Sequence, residues 1–156
     1  MADLKGQCLC GQIRYEYQGK IGNLVHCHCS RCRQWHGAAF RSRVVVQQDG
    51  YRLVQGQEYL AQYQSTPKVI KTFCRNCGSS LATIYPTRDN LLGLPIAGCE
   101  GELNPKEEFH IHTASKASWW QISDRLPQYE TIPDDPKIIH CLNEEKTDGD
   151  RSLSDC

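Results

Sequence analysis

The sequence has no excess of charge of either sign: 18 Lys and Arg stand against 18 Asp and Glu. That balance removes the global basic footprint expected of a protein that binds DNA, RNA or an anionic membrane. Long apolar runs are missing too, so no segment is expected to cross a bilayer, and residues 1–5 carry no stretch of the kind found in secretion signals. A cytoplasmic location is the expectation. There is no internal repeat, low-complexity arm or basic extension, and 156 residues suit one domain with a modest core. Helical patterning is scarce as well, with one short turn of helix expected at residues 30–36, capped by Ser30.

Cysteine, by contrast, is abundant, with ten in the chain. A reducing cytosol disfavours stable disulfides, so metal binding leads. Spacing supports this, because seven of the ten fall in tight groups: Cys8/Cys10, Cys27/Cys29/Cys32 and Cys74/Cys77. Cys99, Cys141 and Cys156 stand alone and read as small buried residues or tail thiols.

Short β-rich runs fill most of the remaining chain. Alternation at residues 12–17, 40–47, 51–54, 59–63, 68–73, 79–85, 91–99 and 109–112, with turn signals such as Asp49-Gly50 and Pro86 between them, predicts a mainly β domain. His110 and His112 are expected on one face of the last run, where hydrogen bonding or solvent explains them better than metal. Trp119 and Trp120 either wall a pocket or cap the core. From residue 131 the composition turns to Pro, Asp, Lys and Glu, which suggests residues 4–130 as the domain and 131–156 as a polar, mobile tail.

Cys8 and Cys10, at i and i+2 of an extended segment, point to one side and supply half a tetrahedron. The turn Cys74-Arg75-Asn76-Cys77-Gly78 supplies the other half, Gly78 being free to take a positive φ. Four thiolates make a closed, structural zinc site that joins the start of the chain to its middle. Cys27, Cys29 and Cys32 then remain with one position unfilled. Either His26, His28 or His36 closes it, or it stays open for water or substrate. Continued strand alternation would turn His26 and His28 away from the cysteines, which favours the open site. Arg31, Arg33, Arg41 and Arg43 either receive substrate carboxylates or form a solvated face, the second reading being preferred.

Taken in order, C-x-C-G at Cys8, C-x-C-x-x-C-R at Cys27, Y-x-S-x-P at Tyr63, F-C-x-x-C-G-S-x-L at Phe73, H-I-x-x-x-S-K-A-x-W at His110 and L-P-Q-Y at Leu126 resemble the glutathione-dependent formaldehyde-activating enzymes, the centromere-protein-V family. The resemblance runs from about Leu4 to Glu130. It implies a small zinc-stapled fold of the β-tent type, with structural zinc on Cys8, Cys10, Cys74 and Cys77 and catalytic zinc on Cys27, Cys29 and Cys32. It also implies a carbon–sulfur lyase that joins glutathione and formaldehyde, with a small-molecule thiol and aldehyde as partners. Lys116 and Trp119 are motif matches to which no chemical role is attached. The alternative class is a non-catalytic zinc module for protein or chromatin interaction, for which a basic arm would be the expected mark.

Overall fold

The computed structural model describes residues 3–133. The first residues of the expected tail are held against the domain, Thr131 accepting the His112 N–H at 3.3 Å and Ile132 packing beside Phe109 and Ile111; the expectations for the rest of the tail, Cys141 and Cys156 lie outside the described residues. Among the described residues, eleven strands and one α-helix follow one another as β1 (Leu4–Gln7), β2 (Arg14–Tyr17), β3 (Leu24–Cys27), α1 (Ser30–His36), β4 (Arg41–Gln47), β5 (Tyr51–Gln55), β6 (Leu60–Thr66), β7 (Val69–Cys74), β8 (Ser80–Ile84), β9 (Leu91–Pro95), β10 (Cys99–Gly101) and β11 (Glu108–Ile111). The mainly β architecture with one short helix is thus the one the composition and alternation predict. Among the described residues no helix is long and apolar enough to cross a membrane.

Two sheets form, one ordered β10-β1-β2-β5 and the other β11-β3-β4-β9-β8-β7-β6. The run at residues 91–99 is therefore not one strand. Pro95 ends β9, a single 3-10 turn follows, and β10 crosses to the other sheet. β1, which the sequence pattern did not separate from its surroundings, fills the gap between β2 and β10.

Alternation assigns the two faces of the larger sheet. Val44, Val46, Leu92 and Leu94 point to a core shared with Leu4, Tyr15 and Tyr17 of the smaller sheet. Residues of the opposite parity form the other face, where Cys27 lies directly across from Arg41 and Val25 from Arg43. Along the same face, Lys71 lies opposite Thr83 and Thr83 opposite Gly93. A second apolar cluster on this side joins Val25 and Cys27 to Phe109 and Ile111 of β11 and to Cys32 of α1.

Candidate metal centres and the cleft beside them

Cys8 and Cys10 converge through a turn rather than through extended alternation: the Gly11 N–H donates to the Cys8 carbonyl at 2.9 Å, which folds the segment back on itself. Leu9 nonetheless faces away, 87% exposed. The second knuckle closes in the same manner, with the Gly78 N–H donating to the Cys74 carbonyl at 2.8 Å and Gly78 itself at φ 75°. An L side chain at that φ costs energy that glycine avoids. Ser79 links the two turns by accepting the Leu9 N–H at 2.8 Å.

The sulfurs of Cys8, Cys10, Cys74 and Cys77 all lie within 4.8 Å of one another. Cys8 and Cys10 Sγ are 3.5 Å apart, and Cys10 and Cys74 Sγ 3.8 Å. Zinc–thiolate bonds of about 2.3 Å set tetrahedron edges of about 3.8 Å, so the four sulfurs fit a closed tetrahedral site.

Cys27, Cys29 and Cys32 form the second group, again with all sulfurs within 4.8 Å of one another. β3 delivers Cys27 and α1 delivers Cys32. Between them, Cys29 rather than Ser30 caps the helix, its sulfur accepting the Cys32 N–H at 3.3 Å. A charged thiolate is the stronger acceptor, and holding it at the cap turns it toward the group. Among the described residues no histidine nitrogen joins these three sulfurs.

Two histidines are engaged elsewhere, His26 on β3 and His28 just past its end. His26 bonds Ser42 Oγ through Nδ1 at 2.8 Å and Glu108 Oε1 through Nε2 at 2.9 Å. His28 Nε2 meets His110 Nδ1 at 2.8 Å, and His110 Nε2 reaches Asp124 Oδ2 at 3.1 Å. Burial, then the neighbouring His110 and His26, holds the His28 imidazole down at about 4, so it is neutral at pH 7. The hydrogen-bonded reading of His110 therefore stands. His112, however, is not on its face: it lies past the end of β11 with φ 56°, starting a 3-10 turn.

His36 is placed differently from the other two candidates. It sits on the last turn of α1, and burial lowers its pKa to about 4, with Arg41 adding to the effect and Cys32 opposing it. Its Nε2 is buried without a hydrogen-bond partner. Together with Trp35 it forms one wall of a cleft of about 630 Å³ whose other walls include Cys8, Leu9, Ser80 and Cys99. The helix that carries Cys32 thus also borders the cavity.

The arginines do not form a common solvated face. Arg31 is exposed, but Arg41 is only 3% exposed and donates from Nη2 to Thr83 Oγ1 at 2.8 Å and to the Gly93 carbonyl at 3.0 Å. Lys71, to which the sequence drew no notice, is 2% exposed, with Nζ 5.6 Å from the centre of the Trp35 ring. Burial and the nearby Arg41 depress its pKa, while Cys32 and Cys29 partly restore it. A lysine in a run as apolar as Val69–Cys74 was the available signal. Lys116 and Trp119 are peripheral: Lys116 Nζ donates to the Trp120 carbonyl at 3.2 Å, and Trp119 is 68% exposed. Trp120 meets Phe40 edge-on at 6.0 Å, which makes the pair a cap over the histidine group.

With two compact sulfur groups in place, comparison with known proteins becomes informative. The family described as glutathione-dependent formaldehyde-activating enzyme matches residues 3–115. The chain belongs to this family. Both sulfur groups fall inside the span that the family covers. A 90-residue stretch, 58% of this chain, is 30% identical to a Schizosaccharomyces pombe protein called an uncharacterized lyase, and the match spans 64% of that protein's length. A crystal structure of a Rhodobacter sphaeroides protein superposes with a TM-score of 0.52 at 26% identity, covering 64% of this chain and 90% of the other.

Proposed function

We propose that this chain is a zinc-dependent carbon–sulfur lyase acting on thiol–aldehyde adducts, with glutathione as the thiol and formaldehyde as the carbonyl partner. Membership of the family and the lyase name of the fission-yeast relative support the reaction class. The observation that carries the reading is the incomplete sulfur group: Cys27, Cys29 and Cys32 converge with no fourth cysteine or histidine among the described residues. In this reading Cys8, Cys10, Cys74 and Cys77 hold structural zinc, and residues 4–130 form the working domain.

A zinc ion on Cys27, Cys29 and Cys32 would supply a Lewis acid that lowers the pKa of a bound thiol. The chain's own residues set the stage for it. β3 and α1 hold three sulfurs from a rigid strand–helix junction, and the Cys32 N–H keeps the Cys29 sulfur aimed. The cleft bordered by Trp35 and His36 runs beside the helix that bears Cys32, and its walls include Cys8 but none of Cys27, Cys29 and Cys32. Rate would then be gained chiefly from proximity, as the thiolate and the carbonyl carbon are held together beside the three sulfurs.

X-ray absorption at the zinc edge, with reduced glutathione titrated into the zinc-loaded protein, tests this. Added sulfur in the first shell is expected, along with formation of S-hydroxymethylglutathione when formaldehyde is supplied. An unchanged first shell would sink the proposal.

A further inference from the structure

Arg41 and Lys71 are both buried cations, at 3% and 2% exposure, and no carboxylate pairs with either among the described residues. Charged side chains are almost never buried this deeply unless paired. Two of their donors, Arg41 Nε and Lys71 Nζ, have no hydrogen-bond partner. Such groups accept nothing and can only donate, so the missing partner is an acceptor, and an anionic one is favoured most.

The two cations stand on the same face but on β4 and β7, with β9 and β8 between them, and the reach of the Arg41 side chain brings its guanidinium toward Lys71. Arg41 stands directly across from Cys27 on the β3–β4 ladder. Its guanidinium crosses to Thr83 Oγ1 and the Gly93 carbonyl, and Thr83 is the cross-strand partner of Lys71. Directly opposed residues on one face place their side chains about 5 Å apart. Gly93 makes the crossing possible: a Cβ there would meet Arg41 Nη2 at 3.1 Å and the Tyr85 hydroxyl at 2.8 Å. On the helix side, Trp35 lies against Lys71, one turn beyond Cys32. Zinc on the three cysteines would account for part of the charge, because three thiolates on a zinc dication would carry one net negative charge.

We propose that Arg41 and Lys71 form a binding site for an anionic oxygen of the substrate, on the face of the sheet that carries Cys27 of the Cys27/Cys29/Cys32 group. The inference rests on the thiol–aldehyde reading. When a substrate thiolate adds to the carbonyl carbon, a C–S bond forms and the C=O π pair moves onto oxygen. That oxygen finally takes the proton that the thiol lost, so no other reactant is needed. Two oxygens satisfy the chemistry: this transient alkoxide, or a carboxylate attached to the carbonyl carbon of an acidic aldehyde.

Formate is the probe for the site, titrated calorimetrically into the zinc-loaded full chain without thiol or aldehyde. Saturable binding to the wild type is expected. Lys71→Met should weaken it at least tenfold, the scale of a lost charge-assisted hydrogen bond, and Lys71→Arg should restore most of it. Replacement of an unpaired buried cation by Met keeps the volume and is expected to preserve the fold, which zinc content and circular dichroism verify. No formate binding to the wild type, or equal affinity in Lys71→Met, overturns the proposal. Turnover then separates the two oxygens. An alkoxide site lowers kcat of Lys71→Met at unchanged KM for formaldehyde and glyoxylate alike. A carboxylate site raises KM for glyoxylate alone. Formate binding with no turnover in the wild type leaves the anion site standing and removes the thiol–aldehyde reading instead.

Discussion

Cys27 and Arg41 face each other across adjacent strands, so a metal-ligand candidate and a buried guanidinium share one rung of the sheet. The pairing places positive charge on the face where the three sulfurs collect, and it ties Arg41 into the structure through Thr83 Oγ1 and the Gly93 carbonyl.

Arg41→Ala is therefore expected to cost stability, because it strips a buried hydroxyl and a buried carbonyl of their partner. Each unsatisfied group carries a penalty of about 1–3 kcal/mol. Chemical denaturation of the zinc-loaded protein should show a loss of about 2–6 kcal/mol in total. A change below about 0.5 kcal/mol, the scale of an ordinary surface substitution, would mean that the guanidinium is not held as described.

The two sulfur groups should respond differently to removal of a ligand. Cys29→Ala is expected to leave a folded chain with one zinc per molecule and no glutathione-dependent turnover. Cys74→Ala should instead abolish folding, since a structural zinc site carries on the order of 10 kcal/mol, comparable to the whole stability of a small domain. Metal analysis paired with circular dichroism distinguishes the cases; a folded Cys74→Ala protein would contradict the structural assignment.

Gly93→Ala tests the crowding over β9. The added methyl would meet the Tyr85 hydroxyl at 2.8 Å, Arg43 Cδ at 3.0 Å and Arg41 Nη2 at 3.1 Å. All three are side-chain atoms, so the expected outcome is displacement of Arg41 with a loss of about 1–3 kcal/mol. Thermal unfolding reads the loss. Unaltered stability would show that Arg41 and its neighbours shift freely.

His28 predicts a pH dependence. Its pKa falls from 6.5 to about 4 on folding, so between these values the unfolded chain binds a proton that the folded chain does not. Stability should therefore be flat for this group above pH 6.5 and fall below it, by about 1.4 kcal/mol per pH unit until about pH 4. His28→Gln retains a donor toward His110 and lacks the titration. The difference in unfolding free energy between wild type and variant, followed from pH 7 to 4.5, should shrink as pH falls; a constant difference would refute the assignment.

Much of this was legible in the chain because metal ligands come in local spacings. C-x-C, C-x-C-x-x-C and C-x-x-C need only a turn or a helix start to converge, and alternation predicted that His26 would face away from the sulfurs, whereas His28 lies past the end of the strand. The details that failed were those where local chemistry had competitors. Cys29 took the cap from Ser30 because the chain is still extended at Cys29 and already helical at Ser30, and a turn rather than a strand brought Cys8 to Cys10. What only the folded structure decided is which distant residues share a face. The cation pair depends on β3, β4, β9, β8 and β7 lying in that order and in that register. A shift of one residue would turn Lys71 or Arg41 to the opposite side of the sheet. Register of that kind is set by the packing of whole strands, so no spacing in the sequence announces that Arg41 and Lys71, thirty residues apart, share the face of the sheet that carries Cys27.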